Sequence, residues 1–259
     1  MEGAAEQENR KGRLELLDTI RGFTMISMTL YHGVWDLVYI RGFSMPWYRG
    51  QAAFIWQQSI CWTFILLSGF CLPFSKRPFR RGLQVFGGGL IVSAATLLLM
   101  PQDRVVFGVL TFIGSAMLLT AALKEPVLSR IPAAGGLIPS MLLFVFTYGV
   151  NAGGFGVFRR ILLPLPPQLY SGYLMTFLGF TDPTFYSTDY FSLIPWLFLF
   201  LTGYYLNGCM TKAGVLRRPV MRRGVPVLSA LGRHSLLYYL LHQVILYLAL
   251  VLLPSALLS

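Results

Sequence analysis

Residues 83–101 read LQVFGGGLIVSAATLLLMP, nineteen positions without one charged side chain. A helix rises about 1.5 Å per residue, so this stretch reaches almost across the roughly 30 Å hydrocarbon layer of a bilayer. Uncharged stretches of similar or greater length cover residues 50–75, 105–123, 131–158, 190–211 and 234–259, and a further one, 22–40, is interrupted only by Asp36. Across the 259 residues, 55% are hydrophobic and 12% charged, about half the roughly 25% charge of an ordinary soluble domain. That balance excludes a soluble globular protein. It also excludes disorder, which needs low hydrophobicity and high charge. Cys61, Cys71 and Cys209 are too few and too scattered for a disulfide scaffold. The expectation is an all-α, polytopic membrane bundle forming one domain over 1–259. Its seven spans lie near 21–40, 51–74, 83–101, 105–123, 132–152, 190–208 and 235–254.

The distribution of charge sets the expected orientation. With the N-terminus inside, the inward segments hold Arg10, Lys11, Arg13, Lys76, Arg77, Arg80, Arg81, Lys124, Arg130, Lys212, Arg217, Arg218, Arg222 and Arg223. The outward segments hold only Arg41, Arg49, Arg104, Arg159 and Arg160. Cytoplasmic loops carry such an excess of Lys and Arg, so the net charge of +11 signals topology and contact with membrane lipids rather than nucleic acid. Residues 1–19 form a charged cytoplasmic segment without a small-residue cleavage site, and the expectation is that no signal peptide is removed. Residues 153–189 form an outward loop. Within it, 161–181 is uncharged but broken by Pro164, Pro166 and Pro167, which leaves an interfacial or re-entrant piece too short to cross. No internal repeat is evident.

Ionisable groups inside a bilayer are costly and mark function. The first span carries Asp18, Arg21, His32 and Asp36. At about 100° per residue, Arg21 to His32 is three turns plus roughly 20°, and Asp18 to Asp36 is five whole turns. With Thr29 these residues form one polar stripe. His32 lies roughly 16 Å beyond Arg21, and Asp36 follows one turn later, where a carboxylate can orient the imidazole as a general base. In the last span His242 shares a face with Ser235 and lies at a depth close to that of His32, with Arg233 at the same mouth as Arg21. Tyr238 and Tyr239 flank it. One polar chamber between the first and last spans accounts for all of these. The bland alternative, polar side chains gluing helices together, suits a lone histidine better than such a register. Metal ligation is not expected, since no CxxC or HxxxH occurs. No P-loop or nucleophile elbow appears either.

The segment Arg13-Leu14-Glu15-Leu16-Leu17-Asp18-Thr19-Ile20-Arg21-Gly22, followed by Met28, His32 and Asp36-Leu37, resembles the start of the heparan-alpha-glucosaminide N-acetyltransferase catalytic-domain family in its short bacterial form. Four later blocks agree: 67–70 (LSGF), 107–114 (FGVLTFIG), 189–196 (DYFSLIPW) with Gly203, and 231–243 (LGRHSLLYYLLHQ). The spacing of Arg21 and His32 is similar to that of the wider acyltransferase-3 superfamily. One block departs at Thr111, where many bacterial relatives have His. The animal enzyme has more spans and a luminal domain, so its lysosomal substrate does not carry over.

The resemblance implies acyl transfer in a bacterial cytoplasmic membrane, from cytoplasmic acetyl-CoA to a sugar or related amine or hydroxyl acceptor. By position, His32 would be the catalytic base, oriented by Asp36. Arg21 and Arg233, with Lys76, Arg77, Arg80 and Arg81, would hold the phosphates of CoA. Asp18 would position Arg21, and Tyr239 or His242 would donate to the developing oxyanion. A homodimer is open to such a protein. Two other classes compete: a transporter or ligand-binding protein that uses the same polar chamber without CoA, and a structural subunit whose stripe faces a partner.

Overall fold

Each stretch expected to span is occupied by one long helix in the computed structural model, which describes residues 13–157 and 160–252. These helices are α1 Glu15–Tyr39, α2 Gln51–Cys71, α3 Pro78–Leu99, α4 Val109–Leu123, α5 Ala133–Thr147, α7 Leu193–Lys212 and α9 Ser235–Leu252. Two short helices, α6 Tyr173–Leu178 and α8 Pro226–Arg233, complete the set. Among the described residues four segments, Gln51–Phe74, Pro78–Leu99, Ala133–Ala152 and Leu193–Lys212, are long and apolar enough to cross a membrane, while the apolar α4 and α9 are shorter. The inside placement of the N-terminus rests on the charge pattern. Of that pattern Arg10, Lys11 and Arg159 lie outside the described residues, as does most of the segment 1–19.

The chain divides into two compact units, one from the described parts of 1–64 and 213–259, the other from 65–212. In the first, α1 packs along both α8 and α9. Glu15 and Asp18 stand in the first turn of α1, where the helix dipole favours carboxylates. Pro226 opens α8, a position that needs no amide hydrogen. The α1–α8 contact is backbone against backbone. A Cβ on Gly22 would fall on the carbonyl oxygen of Leu228, and one on Gly232 would fall on that of Asp18. Membrane helices approach this closely where small residues face each other. Thr19 Oγ1 fastens the same contact. It lies 2.8 Å from Ser229 Oγ and accepts the Val225 amide at 3.0 Å. Beyond it, Met25 and Met28 pack with Ile60, bordered by Tyr31, Trp56, Tyr238 and Tyr239.

In the second unit α3 packs on α4 and α5 packs on α7. The segment 153–189 holds a short hairpin that the sequence does not announce. Residues Gly154–Val157 form a strand, β1, antiparallel to β2, Arg160–Pro164, with Gly154 opposite Pro164 and Val157 opposite Arg160. All five β2 residues are exposed, so the segment shows none of the alternation by which a half-buried strand is recognised. Pro164 ends β2, and Pro167 opens a short 3-10 turn over Pro167–Leu169. Just before the hairpin, Asn151 Nδ2 lies within hydrogen-bonding distance of Gly179 O, Thr181 Oγ1 and Ser192 Oγ, all at 3.0–3.1 Å. Asp182 accepts from the amides of Gly172 and Thr184 and from the Thr184 hydroxyl, and these donors hold its carboxyl below the usual carboxylate range.

Two of the sequence blocks noted above meet in this unit. Asp189 Oδ2 accepts the Val109 amide at 3.0 Å and so caps α4, and Phe191 N donates to Phe107 O at 2.9 Å. Asp189→Ala is expected to lower stability by about 1 kcal/mol, the worth of a typical N-cap. An unchanged melting temperature in detergent would show that the Val109 amide finds another acceptor.

Candidate active site

Because α1 runs unbroken for 25 residues, the polar stripe from Asp18 to Asp36 forms along one helix. At its start Asp18, 6% exposed, accepts from Arg13 Nε at 2.6 Å and Arg21 Nη1 at 3.4 Å. The expected Asp18–Arg21 pair is therefore present, with Arg13 as a second cation. The Gly232 contact sets the end of α8 against this turn, and Arg233 follows as an exposed residue.

Further along, α1 and α9 bring two histidines together. The rings of His32 and His242 are 5.1 Å apart between centroids, inclined at 60°. His242 is 6% exposed, and the ring of Tyr238 lies nearly parallel to it at 6.2 Å. Tyr238 in turn lies 2.6 Å from Thr29 Oγ1, whose own hydroxyl donates to Met25 O at 2.9 Å. The Tyr238 hydroxyl is therefore the donor to Thr29, and the bond pins α9 to α1.

Asp36 departs from its expected role. Its carboxylate is fully buried and accepts from Gln243 Nε2 at 2.9 Å. Among the described residues His32 has no hydrogen-bond partner, so Asp36 does not orient it through a direct bond. The physical reason is the proximity of α9: a buried carboxylate takes the nearest strong donor, and the Gln243 amide reaches it across the helix pair. Gln243 carries no charge, so the cost of burying ionisable groups, which marks Asp36 and His242, does not mark it. The backbone carbonyl oxygen of Tyr239 lies 2.6 Å from His242 Nδ1.

Lys76, Arg77, Arg80 and Arg81 belong to the second unit and are exposed around the start of α3. Thr111 is buried in α4, and its hydroxyl has no partner among the described residues. Among the described residues no group of three or more His, Cys, Asp or Glu side chains could hold a metal ion.

Fold and site together define a helical membrane protein with a pair of facing histidines on two of its helices. A family model, heparan-alpha-glucosaminide N-acetyltransferase, catalytic, matches residues 13–244, and the chain belongs to that family. No curated protein and no solved structure matches it. Membership implies a membrane acetyltransferase, and the family in general uses acetyl-CoA as donor.

Proposed function

We propose that this protein transfers an acetyl group from acetyl-CoA to a sugar or related amine or hydroxyl acceptor at the His32–His242 pair. The observation that carries this reading is the meeting of the two rings at 5.1 Å in a chain of an acetyltransferase family. An imidazole of the pair removes the proton from the acceptor O–H or N–H as that atom attacks the thioester carbonyl. The new C–O or C–N bond forms, the C–S bond breaks, and the proton passes to the departing thiolate of CoA. Arg21, held by Asp18, and Arg233 are suited to the phosphates of CoA, since guanidinium groups bind phosphate oxygens in pairs. The charge asymmetry supports an inward N-terminus with this arginine end facing the cytoplasm.

Binding of the donor is tested by thermal stability in detergent. Acetyl-CoA at 100 times its dissociation constant is expected to stabilise the protein by about 2.7 kcal/mol. A melting temperature indifferent to millimolar acetyl-CoA and to other acyl-CoAs would overturn the reading and favour a CoA-independent transporter.

A further inference from the structure

We infer that the proton acceptor of the reaction is Nε2 of His242, with His32 facing it as a hydrogen-bond donor. This assignment rests on the acetyl-transfer reading and deepens it. His242 Nδ1 lies 2.6 Å from the carbonyl oxygen of Tyr239. A carbonyl oxygen only accepts, so Nδ1 carries the hydrogen. In a neutral imidazole the hydrogen sits on one nitrogen and the lone pair on the other. His242 Nε2 is therefore the basic atom. It is buried and has no hydrogen-bond partner among the described residues. A buried acceptor left without a donor is costly, and natural structures rarely keep one without a purpose. The acceptor substrate's O–H or N–H is the group that would satisfy it.

The same geometry removes His242 from the role of oxyanion donor, because its single hydrogen is already given to Tyr239. His32 is the reverse case. No hydrogen bond among the described residues fixes its tautomer, so it can turn an N–H toward charge that develops on the thioester carbonyl. The setting holds His242 still. Tyr238 lies flat along its ring and is tethered to Thr29, and Gln243, the next residue, is bound to Asp36. Among the described residues the ionisable side chains in ring contact with His242 are His32 on α1 and Tyr238 and Tyr239 on its own helix, and the carboxylate of Asp36 is bound to the neighbouring Gln243. During transfer Nε2 takes the acceptor's proton as the new bond to the acetyl carbon forms. The resulting imidazolium returns that proton to the sulfur as the C–S bond breaks, which leaves neutral His242, CoA thiol and acetylated acceptor.

The chain has three histidines, so ¹⁵N-histidine labelling in detergent gives a spectrum sparse enough to read each tautomer. Wild-type protein should show one ring protonated at Nδ1 and bare at Nε2, and that signal should vanish in His242→Gln. A His242 ring protonated at Nε2 would overturn the assignment without reference to activity. The catalytic half is read from CoA released from acetyl-CoA with glucosamine as acceptor. His242→Gln should lower kcat by about 10²- to 10⁴-fold, the usual worth of a general base. It should also abolish the acid limb of the pH–rate profile, because protonation of Nε2 is what shuts the reaction off as pH falls. His32→Gln, which still offers an N–H, should keep that limb. A limb that survives in His242→Gln and disappears in His32→Gln would return the base to His32. Wild-type protein that releases no CoA would overturn acetyl transfer itself, while the tautomer spectrum still decides where the lone pair lies.

Discussion

Gly232→Val is expected to destabilise the first unit by about 3 kcal/mol or more, at or beyond the upper end of the cost of overpacking. A Cβ at this position falls on the carbonyl oxygen of Asp18, and the next nearest atoms are backbone as well. No side chain can swing aside to admit it, so α8 must move away from α1. The displacement would also break the contacts of Thr19 with Ser229 and Val225. The reciprocal change Gly22→Val meets the Leu228 carbonyl and should behave alike. Melting temperature in detergent is the measurement. Either variant melting within a degree or two of wild type would show that α1 and α8 are not packed as described. Gly42 serves as the control. It has φ +76° but nothing within 4 Å of a built Cβ, so Gly42→Ala should cost only the strain of its left-handed backbone.

His32→Ala is expected to leave the protein folded and to remove almost all transfer. His32 makes no hydrogen bond among the described residues, so its truncation strands no partner. On the proposed assignment what disappears is an N–H donor to the thioester carbonyl, and loss of one such donor typically costs about 10²- to 10³-fold in kcat. The expected signature is CoA release near background, with a melting temperature close to wild type and acetyl-CoA still stabilising the protein. Undiminished transfer in His32→Ala would remove this residue from the mechanism. A collapse in melting temperature would instead make it a packing residue.

The helices were legible because a bilayer imposes a length on them. Runs without charge mark α2, α3, α5 and α7 at their observed places, and the 3.6-residue period is enough to set Asp18, Arg21, His32 and Asp36 on one side of α1. The depth argument that paired His32 with His242 also holds, since it needed only the rise per residue and a common direction for the two helices. What the sequence hid depends on contacts between elements far apart in the chain. Asp36 stood one turn from His32 and looked like its partner, yet a glutamine about 200 residues later takes the carboxylate. Gly22 and Gly232 drew no attention because glycine is frequent in membrane helices, and nothing local says that these two face backbone. The hairpin of β1 and β2 was lost because its second strand is exposed on both faces, which leaves neither period to find.

The bond between Asp36 and Gln243 joins residues 207 positions apart, and this separation dictates an order of events while the chain is being made. The first helix leaves the ribosome with its carboxylate and imidazole unsheltered, and the helix that carries Gln243 follows about 200 residues later. Until then α1 is a poor guest of the bilayer, best held at the translocon or in its aqueous vestibule. Pairing of His32 with His242 thus waits for α9, and a nascent chain stalled before that helix leaves Asp36 without its Gln243 partner.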